Sequence, residues 1–258
     1  MAILVTGGAG YVGSVVAEAL LEGGHQVIVL DNLSQGHRDA VPPEASFVSA
    51  DLMEPLSLNE VFQHFDIEAV MHMAAETLVE YSMTDPRRHF QTNVVGSINL
   101  LEAMLKHDVH ELVFSSSAAI YGEPQNTPIS EEHAQLPINA YGESKLMIER
   151  ILYWYERAYG LKSISLRYFN AAGASKRLGE DHRPETHLIP NVLKVPLGQS
   201  KLVPIFGTDY QTRDGTCIRD YVHVQDIAQA HILALGYLDT INGTRHYNLG
   251  SSHGYSVL

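Results

Sequence analysis

Apolar residues along this chain fall into short runs with two different spacings, and the two spacings take turns. Residues 2–5 (Ala-Ile-Leu-Val) form an unbroken β-prone run that glycines stop, which predicts a strand. Gly8, Gly10 and Gly13 then open a helical spacing through Val16, Leu20 and Leu21, and residues 26–31 predict a second strand closed by Asp31. Residues 46–50 predict a third strand, 55–65 a helix, and 69–75 a buried strand. A single long helix is expected over 86–107, with Phe90, Val94, Ile98, Leu101 and Leu105 along one face. Residues 111–116 read as another strand, followed by a loop containing Pro124, Pro128 and Pro137 and a helix over 141–159. Residues 163–168 are expected to complete the regular part of the sheet. Past Gly173 the rhythm breaks into loops with Gly, Pro and charge, before a helix over 225–238 and a strand over 247–249. Strands alternating with helices predict an α/β fold built on a doubly wound, Rossmann-like parallel sheet. The expected division is 1–173 for the sheet domain and 174–258 for a smaller lobe interleaved with returning sheet elements. No internal repeat or low-complexity tract is present.

Composition narrows the class. The 258 residues suffice for a large α/β domain, and 45% apolar with 18% charged residues is ordinary for a globular chain. Seventeen Lys and Arg against thirty Asp and Glu leave a net charge of −13, which argues against broad binding of nucleic acid or of an acidic membrane. An anionic substrate would need a local basic site. The chain has one cysteine, Cys217, which rules out an internal disulfide and points to a reducing, cytoplasmic setting. No stretch approaches the roughly 20 apolar residues of a membrane helix. The N-terminus enters a strand at once without a basic leader, so no signal peptide is expected.

Two places carry chemistry. Glycines at a strand–helix turn let backbone approach a pyrophosphate, which the first-turn N–H groups of the helix then face. The Asp31 carboxylate at the end of the second strand sits where it can hold a ribose 2′-hydroxyl and repel a 2′-phosphate. NAD is therefore favoured over NADP; Arg38 is the one nearby cation that could argue otherwise. An ordinary strand–turn–helix is the bland alternative. The second place is Tyr141-Gly142-Glu143-Ser144-Lys145, whose Tyr and Lys share a helix face. An ammonium beside a phenol is expected to lower its pKa and make a general base. Ser115-Ser116-Ser117 ends the fifth strand at the edge where such sheets bind ligands, although the serines could equally form a plain strand-end turn.

Together these segments resemble the UDP-glucose 4-epimerases, within the extended short-chain dehydrogenase/reductase superfamily. The motifs are Thr6-Gly7-x-x-Gly10-x-x-Gly13, Asp31-Asn32-Leu33-Ser34, residues 115–122 (Ser-Ser-Ser-Ala-Ala-Ile-Tyr-Gly), and the Tyr141–Lys145 segment. Residues 167–173 (Arg-Tyr-Phe-Asn-Ala-Ala-Gly), His187-Leu188-Ile189-Pro190 and 214–224 extend the likeness along the whole chain. The resemblance implies NAD held by Gly7, Gly10, Tyr11, Val12, Gly13, Asp31, Asn32, Leu33, Ser34, Gly36, Asp51, Leu52, Met73, Ala74, Ala75, Thr77, Asn93 and Phe169, together with the catalytic group. That group would be Ser117, Tyr141 and Lys145. A UDP-sugar would lie on Ser117, Tyr141, Asn170, His187, Leu188, Val203, Ile205, Phe206 and Arg219. The resemblance further implies a homodimer.

The departures from the pattern are specific. Thr77 stands where many epimerases carry a lysine, His187 where many carry asparagine, Ala140 for a frequent proline and Val15 for a frequent histidine. The sequence stops at Leu258, where the family introduces another helix and residues that gate sugar size, so the C-terminal lobe reads as truncated. A nucleotide-sugar dehydratase or decarboxylase would share the fold, but Ala118 and Ala119 leave no carboxylate after the fifth strand for elimination. A non-catalytic NAD-sensing module need not keep Ser117, Tyr141 and Lys145 together. No metal is expected, since His107-x-x-His110 lies at a helix end and no His-Glu-x-x-His occurs. Cys217 is expected to be a packed thiol. Arg213 and Arg219, beside Asp214 and Asp220, could form solvated ion pairs, with a phosphate role favoured for Arg219.

Overall fold

The computed structural model of the protein describes residues 1–258. β1 (Ala2–Thr6) leads into α1 (Tyr11–Glu22), β2 (Gln26–Asp31) and β3 (Ser46–Ser49), followed by α2 (Pro55–His64) and β4 (Ala69–His72). A helical stretch comes next, made of α3 (Val79–Thr84), α4 (Pro86–His89), a π-helical segment (Phe90–Val95) and α5 (Gly96–Lys106). β5 (Glu111–Ser117), α6 (Ala140–Tyr159), β6 (Lys162–Tyr168) and β7 (Asn170–Ala172) follow. The chain continues through α7 (Leu188–Leu193), β8 (Ile218–His223), α8 (Val224–Leu238), β9 (Thr244–Leu249) and β10 (Gly254–Ser256).

Alternation along the strands builds the core on both faces of the sheet. Ile3 and Val5 of β1, Val27 and Val29 of β2, and Met71 of β4 join one buried cluster with Val16 and Leu20 of α1 and Ile227 and Leu235 of α8. Leu4, Ile28, Leu30, Val70 and Phe114 face the other way, into a cluster with Leu58 of α2, Leu100 and Met104 of α5, and Ile148 and Leu152 of α6. Both faces are apolar because helices cover both, as an all-parallel sheet requires.

Seven strands pair in parallel in the order β3-β2-β1-β4-β5-β6-β9. The order reverses between β1 and β4, and the carboxyl ends of these two strands frame a crevice of the kind such sheets use for ligands. A three-stranded sheet in the order β10-β8-β7 lies apart from the large one. No helix is long and apolar enough to cross a membrane.

Three expectations are corrected. The buried strand ends at His72, not residue 75, because Met73 to Ala75 turn away over the glycine turn: a Cβ on Gly7 would meet Ala74 N at 2.6 Å. The long helix over 86–107 contains the π segment, whose extra residue per turn rotates the buried face. Asn93, Ser97, Leu100, Leu101 and Met104 are buried, whereas Phe90, Ile98 and Leu105 are only half-buried. Finally, the returning strand expected over 247–249 already starts at Thr244, beside β6. β9 pairs alongside β6 from Ser163↔Thr244 to Tyr168↔Leu249, so residues beyond Gly173 return to the large sheet as its seventh strand. The loops expected there also contain α7, β8 and β10.

Candidate active site

The crevice begins at the turn between β1 and α1. Gly7 has a left-handed φ of +71°, and a Cβ on Gly13 would meet the Gly7 carbonyl oxygen at 2.2 Å, so any side chain at either position is excluded. At Gly10 a Cβ would meet only the Gly7 oxygen, at 3.3 Å, which leaves backbone open on the outer side of the turn. α1 starts there with no side-chain cap, and the first-turn N–H groups of Tyr11 and Val12 point away from the helix without intrahelical partners. Open backbone and free N–H groups of this kind can receive a pyrophosphate.

At the end of β2, Asp31 is buried and accepts backbone hydrogen bonds from Ala9 N (3.0 Å) and Leu33 N (2.8 Å). Burial pushes its carboxyl above the usual carboxylate range, with the two N–H donors opposing that shift. The carboxylate is thereby pinned beside the glycine turn. Asn32 donates to Asp51 Oδ2 at 2.9 Å and accepts from Ser34 N at 3.0 Å, and Asp51 Oδ1 accepts from Met53 N at 2.8 Å. Leu33 takes a left-handed φ of 58°, and Gly36 lies so close to Ala9 that a Cβ would reach it at 2.9 Å. Leu52 is buried beneath, where Asn99 Nδ2 donates to its carbonyl at 2.9 Å. The Arg38 guanidinium lies 4.5 Å over the Phe47 ring.

Across the crevice, buried Asn93 in the π segment accepts from Glu76 N (2.8 Å) and donates to Glu76 O (3.1 Å) and Ser144 Oγ (2.9 Å). One side chain thus ties the half-buried Met73–Ala75 loop to α6, while Thr77 stays exposed. Beneath that loop His72 bridges Thr6 Oγ1 (2.8 Å) and Ser97 Oγ (2.7 Å), and burial, followed by the Lys145 charge, holds its pKa down at about 3.

Ser117, Tyr141 and Lys145 meet at the carboxyl end of β5. Asn139 caps α6 by accepting from Gly142 N at 2.8 Å, and a Cβ on Gly142 would strike the Ala119 carbonyl oxygen at 2.5 Å. The first turn of α6 is therefore pressed against the turn after β5, which brings half-buried Tyr141 to Ser117. The Ser117 hydroxyl acts as a hydrogen-bond partner of the phenol and favours phenolate, but burial outweighs it and raises the Tyr141 pKa. Buried Lys145 donates to the Ser115 carbonyl at 2.8 Å and lies 4.9 Å from the Phe114 ring centroid and 5.8 Å from that of Tyr141. Burial lowers its pKa to about 7. This corrects the expectation from spacing: the ammonium shares a helix face with the phenol, yet its proton is directed to the strand carbonyl and does not depress the Tyr141 pKa here.

Residues between Asn170 and Val257 line a cavity of about 280 Å³. Asn170, His187, Leu188, Val203, Ile205, Phe206 and Arg219 all line it, as do Tyr221 and Tyr255. Arg219 donates to its neighbour's carbonyl, Ile218 O, at 2.9 Å. It forms no ion pair with Asp220, which instead accepts from Ser251 and Ser252. Asp214 likewise bonds Thr216 rather than an arginine. Half-buried Cys217 faces the same cavity. Tyr11 at the glycine turn donates to Gly173 O at 2.7 Å, tying the turn to the residue after β7, and half-buried Phe169 packs against Gly250.

Sequence reasoning missed Glu180. Its carboxylate meets His182 Nδ1 at 3.2 Å and His187 Nδ1 at 2.7 Å, and His187 Nδ1 also meets Glu185 Oε1 at 2.8 Å. Bonding to Glu180 and then Glu185 raises the His187 pKa to about 9, while burial of Glu180 is outweighed by its two histidines, which bring it to about 2. The signal was legible as Glu180-x-His182-x-x-Glu185-x-His187, an alternation of carboxylate and imidazole within eight residues.

The family described as "NAD dependent epimerase/dehydratase family" matches residues 3–250. The UDP-glucose 4-epimerase of Lacticaseibacillus casei is 51% identical over 260 residues, covering 100% of this chain and 78% of that protein. Among solved structures, UDP-glucose 4-epimerase from Brucella ovis in complex with NAD superposes with a TM-score of 0.95 at 44% identity, covering 99% of this chain and 79% of that one. The enzyme of the same name from Bifidobacterium longum, in complex with NAD+ and UDP, gives a TM-score of 0.93 at 37% identity, with 100% and 80% covered.

Proposed function

Since the chain belongs to the NAD dependent epimerase/dehydratase family, we propose that it inverts C4 of a UDP-hexose, interconverting UDP-glucose and UDP-galactose. The observation that carries this is the meeting of Ser117 and Tyr141 at the end of β5, with Lys145 one helical turn along. The pyrophosphate of NAD fits the open backbone at Gly10 and the first turn of α1, and the adenosine ribose fits Asp31. When bound, NAD supplies reversible hydride acceptance at the sugar carbon. Tyr141 takes the proton of the 4-hydroxyl and later returns it, while Ser117 steadies the same oxygen. Lys145 orients this end of α6 through Ser115 O. Arg219 and His187, on the wall of the second-lobe cavity, meet the diphosphate, and the apolar Val203, Ile205 and Phe206 meet the nucleoside. Residues 1–173 thus serve the cofactor and 174–258 the sugar nucleotide, with α8 and β9 returning to the sheet. A dehydratase is disfavoured because Ala118 and Ala119 follow Ser117, leaving no acid there for elimination.

The lone cysteine supports a cytoplasmic setting for this enzyme. The homodimer belongs to the same reading: exposed Tyr153 and Trp154 on α6, and Tyr81 and Met83 on α3, offer apolar surface that a second copy would cover. Light scattering of the purified protein tests it.

Incubating the protein with UDP-glucose and separating the products tests the activity. Tyr141→Phe removes one oxygen, and loss of the general base should cost on the order of 10² to 10⁴ in kcat with bound NAD retained. Near-normal turnover in that variant would overturn the assignment of Tyr141.

A further inference from the structure

The 180–187 segment sorts its charged side chains into two sets. Asp181 and Arg183 pair with each other on the outside, at 3.0 Å with side chains 58% and 77% exposed. Glu180, His182, Glu185 and His187 turn the other way, and one donor atom from each lies within 4.8 Å of all the others. The two carboxylates are 10% and 8% exposed, and neither meets a lysine or arginine; their ion-pair partners are the two imidazoles alone. Buried carboxylates without a permanent cation are costly unless something else supplies the charge.

We propose that Glu180, His182, Glu185 and His187 bind a divalent cation of the zinc class. Two imidazole nitrogens and two carboxylate oxygens are a donor set that suits this ion, and two ionised carboxylates match its charge once the ion displaces the proton from His187. Tetrahedral zinc with bonds of about 2.1 Å holds its ligand atoms about 3.4 Å apart. The observed 2.7, 2.8 and 3.2 Å contacts need to open by about 0.7, 0.6 and 0.2 Å to reach that spacing, with the wider pairs closing. Outer contacts orient the donors: Glu185 Oε1 accepts from His187 N at 2.7 Å, and Asn191 Nδ2 donates to Glu185 O at 3.4 Å.

The position gives the ion a structural task. His187 lines the sugar-nucleotide cavity, His182 and Glu185 line a neighbouring cavity of about 490 Å³, and Glu180 lines both. The segment also reaches the sheet domain, since the His182 ring stands edge-on to Tyr11, 6.4 Å between centroids, and His37 Nε2 meets Asp181 O at 2.9 Å. An ion here fixes the wall between the two cavities against the glycine turn, whichever sugar the cavity takes.

Chelator-treated protein, titrated with Zn²⁺ by calorimetry and with Co²⁺ by visible spectroscopy, tests the site. One zinc per chain is expected, with Co²⁺ giving the intense ligand-field bands of a four-coordinate site. His182→Gln and Glu185→Gln should each weaken Zn²⁺ binding by at least about 100-fold and abolish the Co²⁺ bands, with unchanged circular dichroism. Substoichiometric zinc in the wild type, or folded variants that bind as tightly as the wild type, would overturn the proposal. If one variant fails to fold, the other and the wild-type stoichiometry decide.

Discussion

His231 on α8 is fully buried, bonded through Nε2 to the Tyr168 hydroxyl at 2.8 Å and through Nδ1 to the Ile227 carbonyl at 2.9 Å. Burial holds its pKa down from 6.5 to about 4. The unfolded chain takes up a proton near pH 6.5 that the folded chain refuses until about pH 4, so the stability of the neutral ring is complete above 6.5 and is lost as pH falls. Between pH 7 and pH 5 this one residue should cost about 2 kcal/mol. His231→Gln, compared with the wild type by urea denaturation at both pH values, should lose about 2 kcal/mol less over that interval; equal losses would show that the ring is charged in the folded state. His72 follows the same logic. None of this was visible in the sequence, where fourteen histidines look alike. A histidine's neighbours in space, here Tyr168 and a carbonyl one turn back, are set by tertiary packing. Asp31 was legible for the opposite reason, since its neighbours in space are the glycine turn and Leu33, both fixed by local strand–turn geometry.

The π segment shows the same division at the scale of an element. Hydrophobic spacing placed a helix between residues 86 and 107, because periodicity registers local repetition. It could not register the inserted residue, because Asn93 is drawn into the crevice by partners that lie elsewhere, Glu76 and Ser144. Asn93→Ala should leave Glu76 N and Glu76 O unpaired in the interior, while the Ser144 hydroxyl keeps its bond to Tyr141 O, at about 1–3 kcal/mol for each buried group left unsatisfied. Denaturant unfolding should show the loss. A fall in NAD affinity should accompany it, because the Met73–Ala75 loop is no longer tied to α6. An Asn93→Ala protein as stable as the wild type would mean that water takes over all three bonds. The α6 start, by contrast, was readable within one residue, because the loop that ends after Pro137 is a local signal.

For the whole molecule, the parallel sheet and its helical cover were read correctly from alternating runs, whereas the small sheet was not. β7, β8 and β10 are three to six residues long and largely exposed or half-buried, so their apolar pattern is too weak to stand out from loop. The excess of negative charge acts at this scale too. With a net charge of −13 the folded chain repels itself, and screening should relieve that strain. Raising NaCl from about 10 to 200 mM, which shortens the Debye length from about 30 Å to below 10 Å, should raise the melting temperature. A melting temperature that falls over that range would mean that exposed local ion pairs, such as Arg183–Asp181, outweigh the overall repulsion.

α1 and α8 share one buried cluster on the same face of the sheet. That neighbourhood joins places far apart in time as well as in sequence. At about 5–20 residues per second, a ribosome needs roughly 10 to 40 s to travel from the start of α1 to the start of α8. Throughout that interval Val15, Val16 and Leu20 lack the helix that will cover them. The nascent chain therefore carries an uncovered apolar stripe for far longer than the microsecond that a helix takes to form. Its first-made helix is a natural place for chaperones to hold on.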